Sequence, residues 1–460
     1  MLNRRKFLSH SCSYGLASAT LSSTLLNLGL ARSAAAQGAT DYRALVCVLL
    51  AGGNDSWNML VPTDRDQYRE YQAIRSDLAL PRNSLLSLPG TNASGRGFGV
   101  HPGMSGLQTL FTEGDAGLLC NVGTLLEAFD PVALENGNLQ IPLGLFSHAD
   151  QIQQWQTGIS NKRVAEGWAG RAADLLQEVN VANGLSMNIS LSGSNVFQSG
   201  ATTAEYSVQS EGNGAPGINA YDDGTAFGAY RKRIIDSLLA VPQGNILRRE
   251  YRSRLASAID SQKIFVSALE QAPALGTTFS ENPFSESLRQ IARIISVRSQ
   301  LGAKRQTFFV TVGGWDHHDD VLPGQAAMLP GISAGLLEFR NALRELAVLD
   351  AVTTFTTSDF GRTLTSNGKG SDHGWGGHHI VMGGSVNGGR YFGSYPEIRP
   401  GSPLDVGRGI YAPTTSVDQY FAELALWFGV PAAELSTVLP NIGRFYSPGT
   451  SELPLGFLRL

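Results

Sequence analysis

Two stretches of this 460-residue chain concentrate side chains that bind metals or move protons. One reads Gly313-Gly314-Trp315-Asp316-His317-His318-Asp319-Asp320. The other runs from Ser358-Asp359-Phe360-Gly361-Arg362-Thr363 through Ser371-Asp372-His373-Gly374 to His378-His379. Carboxylates and imidazoles offer the oxygen and nitrogen ligands that suit one or two Zn, Mn or similar divalent ions, unlike the thiolate set of a structural zinc site. A further acid, Asp55, ends Leu50-Ala51-Gly52-Gly53-Asn54-Asp55, where an aspartate reads equally as a turn residue or helix cap. Of the adjacent His317 and His318, one is expected to face an ion; of His378 and His379, one is expected in the site and one against the core. His101, in His101-Pro102-Gly103, reads as a loop or supporting histidine. Phe146-Ser147-His148-Ala149-Asp150 supplies a nucleophile candidate. Ser147 at a helix start has backbone amides beside it that favour an anion, and the same position suits a plain helix cap. Arg362 could clamp an anionic group.

These residues need elements to bring them together. Arg43 to Ala51 is a continuous apolar run ending in a Gly-rich loop, the pattern of a parallel strand buried on both faces. Ala116 to Val122, Phe308 to Val312 and Val352 to Thr357 repeat it, and Ile380 to Met382 before Gly383-Gly384 is a fifth, shorter case. Helical patterns cover Asp150 to Gln156, Gly167 to Val179, Ile246 to Ala272, Ser285 to Gln300, Gly331 to Leu349 and Ser416 to Phe428. Alternating strands and helices predict a three-layer α/β/α sandwich around a mostly parallel sheet. In such sheets ligands bind beyond the carboxyl ends of the strands, where Asp55, Asp316 and Asp359 all fall. Leu185 to Asp223, rich in Ser, Gly, Asn and Thr, reads as a small β-rich insertion with hairpin character inside one domain spanning 37–460. Cys47 and Cys120 lie in buried runs and read as core residues, with a disulfide between them left open.

Composition narrows the function. The net charge is −4 and no stretch reads as rich in Lys and Arg, so nucleic-acid binding is not expected. Residues 1–36 contain Asn3-Arg4-Arg5-Lys6-Phe7-Leu8, a weakly apolar run and Ala34-Ala35-Ala36, which resembles a twin-arginine export signal. The expected location is therefore periplasmic or secreted, with the twin-arginine export machinery as a partner. No later segment approaches the apolar length of a membrane span.

Together Leu50 to Asp55, His101-Pro102-Gly103-Met104, Ser147-His148 with Trp155-Gln156-Thr157-Gly158, Gly313 to His318, Ser358 to Thr363 and Asp372-His373-Gly374 resemble the DUF1501 family of exported bacterial proteins. That resemblance implies an alkaline phosphatase–sulfatase-like fold. By it, Asp55 would take the first-strand metal position, Asp316 and His318 would serve one metal, Asp359 another, His373 the late histidine position, and Ser147 would be the nucleophile, with His148 and Arg362 beside it. The sequence departs from the superfamily where Phe360, not histidine, follows Asp359, and it lacks the sulfatase formylglycine pattern. The implied activity is metal-dependent hydrolysis of a phosphate or sulfate ester, on a small or polymer-linked substrate. The alternative is a non-catalytic binding or assembly protein that keeps the fold and part of the metal site.

Overall fold

The computed structural model describes residues 41–460 apart from 181–184, 213, 215–216, 219–220, 222 and 243, so the segment 1–36, expected to be an export signal, lies outside the described residues. The central strands are β1 (Arg43–Leu50), β5 (Ala116–Gly123), β8 (Arg305–Val312), β9 (Val352–Ser358) and β10 (Gly377–Met382). Short strands β6 (Asn188–Ser190), β7 (Tyr206–Ser207), β11 (Tyr391–Gly393) and β12 (Thr415–Ser416) complete the sheet. Its order is β11-β5-β10-β9-β1-β8-β6-β7, with β12 also on β5. β1 runs parallel to both β8 and β9, in register from Arg43 with Arg305 to Leu50 with Val312. The remaining strands β2 (Leu60–Pro62), β3 (Leu86–Ser87) and β4 (Phe98–Val100) make a small separate sheet.

Side chains of β1 alternate between two apolar layers, as a strand buried on both faces must. Ala44, Val46, Val48 and Leu50 join one layer with the helices Ser105–Thr112, Pro283–Ser296 and Val321–Glu345. Leu45, Cys47 and Leu49 join the other with the helices Trp168–Leu176 and Val417–Phe428. The three-layer architecture is the expected one. Cys47 and Cys120 belong to opposite layers and are free thiols, so no disulfide joins them.

Several elements depart from expectation for identifiable reasons. β10 is antiparallel to both β5 and β9, so Gly383-Gly384 leaves at the opposite edge from the other strand-exit loops. The helix before β9 spans Val321–Glu345 and carries Pro330 internally, ten residues of it preceding the expected start. The expected hairpin near 185–223 is instead two short strands paired in parallel, β6 extending the main sheet from β8 and β7 following β6.

Asp418, in the first turn of the helix Val417–Phe428, is fully buried, and neither carboxyl oxygen finds a partner among the described residues. Burial pushes its pKa up to about 7, against the smaller pull of its own backbone amide, Arg444 and Arg171. The folded state therefore holds a proton that the unfolded chain has released. Stability should fall as pH rises from about 4 to about 7. Asp418→Asn is expected to remove that slope and raise stability at pH 8 by about 2 kcal/mol, net of its own buried amide. Urea unfolding at pH 4.5 and pH 8 checks this; an unchanged difference between the two pH values in the variant would refute it.

Candidate functional site

The exit loops of β1, β8 and β9 meet at one edge of the sheet. Their approach depends on glycine: Gly52 sits at φ +119°, and a Cβ there would lie 2.5 Å from the Asp316 nitrogen. The loop after β5 passes through the short helix Pro131–Glu135 and returns to the same edge, where the helix His148–Thr157 begins. Ser147 caps that helix, its Oγ accepting from the Asp150 amide at 3.5 Å, and the first helical side chain, His148, enters the site.

Asp316 is the centre of the cluster. Its carboxylate lies 3.4 Å from His148 Nε2, 3.2 Å from His318 Nε2 and 3.5 Å from His373 Nε2, and accepts from Arg362. Burial raises the Asp316 pKa, but the Arg362 guanidinium, His148 and His318 together outweigh it and hold the carboxyl below its ordinary range. Single donor atoms of His148, Asp316 and His373 all fall within 4.8 Å of one another, close enough to share one ion. Burial lowers the His373 pKa, which favours the neutral imidazole that a metal needs.

The second nitrogen of each ring is held by oxygen. His148 Nδ1 donates to Asp359 Oδ2 at 2.6 Å, His373 Nδ1 donates to the Phe146 carbonyl at 2.8 Å, and His318 Nδ1 lies 3.4 Å from Asp372. Such outer contacts fix a ligand's tautomer with the Nε2 lone pair outward. His148 Nε2 is accordingly buried without a hydrogen-bond partner, and His318 Nε2 faces His373 Nε2 at 2.9 Å. Two lone pairs facing each other at that distance repel unless a proton or cation sits between them. The donor set therefore fits a divalent cation. Its solvent face is open: the side chains of Asp316 and His318 are 46% and 45% exposed.

The remaining sequence candidates are placed differently. Asp359 is 1% exposed and its two oxygens take His148 and the Gly52 amide, so it holds the His148 ring and does not offer a free oxygen to the cluster. Asp55 is fully buried against Arg75 and the Ser371 hydroxyl, away from the shared donor atoms. Arg362 is fully buried; it donates to the carbonyls of Gly52, Gly53 and Ser371 as well as to Asp316, so it clasps three loops and has no free fork for a substrate. His148 is grouped with the donor atoms, a role its place beside Ser147 did not announce. Among the described residues one such group exists, where the resemblance implied ligands for two ions.

Of the adjacent histidines, His318 faces the cluster, while His317 turns toward Trp315, its Nδ1 without a partner. His378 and His379 both stay in the core, on opposite faces of β10: His378 stacks on Tyr395 and His379 packs against Trp155. A strand buried on both faces leaves neither side free for a site. His101 is buried, its Nδ1 accepting from the Gly103 amide. Phe360, the residue after Asp359, packs over the rings of His148 and His373 with centroids 4.8 Å and 4.5 Å apart.

No curated protein sequence matches the chain. Among solved structures, Ps i-CgsB in complex with k-i-k-neocarrahexaose is similar over 85% of this chain and 72% of its own, at 10% identity and TM-score 0.32. The PsFucS1 sulfatase from Pseudoalteromonas sp. is similar over 88% and 71%, at 9% identity and TM-score 0.33. Likenesses this distant carry no argument about the reaction. The family described as "Protein of unknown function (DUF1501)" matches residues 42–435, nearly all of the described chain, and the chain belongs to that family.

Proposed function

We propose that this chain is an exported, metal-dependent hydrolase of a phosphate or sulfate ester. The observation that supports it is the set of three imidazoles, each held at Nδ1 by oxygen and turned at Nε2 onto Asp316, on a face open to solvent. Structural metal sites are closed by protein ligands, whereas catalytic ones keep a position open. His148, Asp316 and His373 would hold the ion, with His318 as a further ligand. Zn or Mn suits these donors. A divalent ion bound there would supply Lewis-acid polarisation of an ester oxygen.

The chain's own residues supply the rest. Ser147 is half-buried beside His148 in sequence; its Oγ accepts from the Asp150 amide, and its hydroxyl lies in hydrogen-bond reach of the Asp150 carboxylate, a contact it would give up to attack the ester. In the proposed reaction Ser147 Oγ forms a bond to phosphorus or sulfur and the ester's C–O–P or C–O–S bridge breaks at that atom. The alcohol leaves with the proton lost by the serine. Water then cleaves the serine ester, which releases phosphate or sulfate and restores the hydroxyl. Asp359 and the Phe146 carbonyl hold the Nδ1 protons of His148 and His373 throughout. The twin-arginine-like segment, Arg4-Arg5 at its start, would carry the folded protein to the periplasm.

A second reading, a non-catalytic binding protein, draws support from Arg362, whose donors are taken by loop carbonyls and Asp316, so it is not left to clamp an oxyanion. Elemental analysis separates the two. Purified protein is expected to hold about one divalent ion per chain. Hydrolysis of p-nitrophenyl phosphate or sulfate should fall to background on chelation and return with Zn or Mn. Metal-free protein without activity on either ester would favour the binding role.

A further inference from the structure

The helices Ala226–Ala240 and Ile246–Glu270 form a hairpin that is anchored mainly at its base. Phe265, Ala268 and Leu269, near the end of the second helix, enter the core, whereas Gly228 is the one buried residue of the first. Around the turn the apolar side chains face water: Leu238 is 64% exposed, Val241 50%, Ile246 67%, Leu247 76% and Tyr251 70%. Between the helices Ile235, Leu239 and Leu255 line an open groove of about 580 Å³. A contiguous apolar patch of this kind marks an interaction surface.

Its surroundings are basic. Residues 226–255 carry Arg231, Lys232, Arg233, Arg248, Arg249, Arg252 and Arg254 against Asp236 and Glu250, a net of +5 in a chain whose total is −4. The basic residues fall in two short runs, Arg231-Lys232-Arg233 and the four arginines among residues 248–254, a local concentration that the chain's overall negative charge conceals. Arg248 and Arg252 flank the groove, and Arg252 ties the two arms by donating to the Val241 carbonyl at 3.0 Å.

We infer that the hairpin tip docks this protein on a bilayer surface that carries anionic lipid. An apolar tip with arginines one turn behind it matches a headgroup boundary: the tip enters the acyl edge while the guanidinium groups lie at phosphate depth. A second copy would bring the same positive charge and be repelled. A neutral apolar partner would leave the arginines without counter-charge. No helix among the described residues is long and apolar enough to cross a membrane, so the contact is with the surface.

Co-sedimentation of the full chain with vesicles tests the inference, comparing phosphatidylcholine alone with the same lipid containing about one-third phosphatidylglycerol. The chain should bind the anionic vesicles only, and about 0.5 M salt should weaken binding. The double variants Leu238→Asp/Leu247→Asp and Arg248→Glu/Arg249→Glu should each bind at least about tenfold less. Both alter exposed residues, so metal content and circular dichroism should match the parent. Absence of binding to anionic vesicles overturns the inference, as does undiminished binding by both variants, which would assign the attraction to another segment. A dimer that Leu247→Asp dissociates, without vesicle binding, would overturn it in favour of a second copy as occupant.

Discussion

Asp316→Ala is expected to release the proposed metal and lower the proposed ester hydrolysis by about 10³-fold or more, while the fold survives. Three imidazole nitrogens approach this one carboxylate within 3.5 Å, and no other acid in the cluster has an oxygen free to replace it. The side chain is 46% exposed, so its removal opens no cavity in the core. Ser147→Ala should behave differently: metal content stays at the parent level and hydrolysis falls by about 10²–10⁴-fold, because in the proposed reaction the serine would carry the transferred group and hold no ion. The alanine also removes a long cap contact, worth about 1 kcal/mol at most, which leaves the helix in place. Elemental analysis beside p-nitrophenyl ester assays on both variants decides the matter. An active Ser147→Ala with an inactive Asp316→Ala would pass the nucleophile's role to water. Full metal content in Asp316→Ala would remove the proposed centre.

The contrast between these residues also shows what the sequence could and could not convey. β1, β5, β8 and β9 were legible because a parallel strand buried on both faces must be apolar throughout, and that run is visible in one dimension. The direction of β10 was not, since only its neighbours decide it. Strands of two or three residues, such as β6, β7 and β12, carry too few positions to show a period. Asp316, His318 and His373, which the structure brings together, stood out in the sequence because they lie in Gly-rich strand-exit loops. The placement of His148 depends on a return path of more than twenty residues after β5. Asp359 and Arg362 lie in the same kind of loop and look alike in sequence. What sets them apart is the oxygens and carbonyls that folding brings to them.

Asp55 gives the sharpest test of this distinction. Arg75→Met should destabilise the protein by about 3–5 kcal/mol, because it leaves a fully buried carboxylate with the Ser371 hydroxyl as its remaining side-chain partner. Arg75 also donates to the carbonyls of Thr363 and Leu364 and to Asn58, so it ties the loop after Arg362 to the helix Arg65–Arg75. Asp55→Asn keeps the shape but removes the counter-charge, and should cost a similar amount for the opposite reason: the guanidinium is then the unpaired ion. The combined Arg75→Met/Asp55→Asn variant should recover part of the loss, since no bare charge remains buried. Urea unfolding of the three variants measures these differences. Elemental analysis of Asp55→Asn adds a readout that stability alone would miss. A first-strand metal ligand, as the family resemblance implies, would lose its ion on this change. A carboxylate held by Arg75 and Ser371 leaves the donors on His148, Asp316 and His373 intact, so the variant should keep its metal while it loses stability. Loss of metal from folded Asp55→Asn would return Asp55 to the ion.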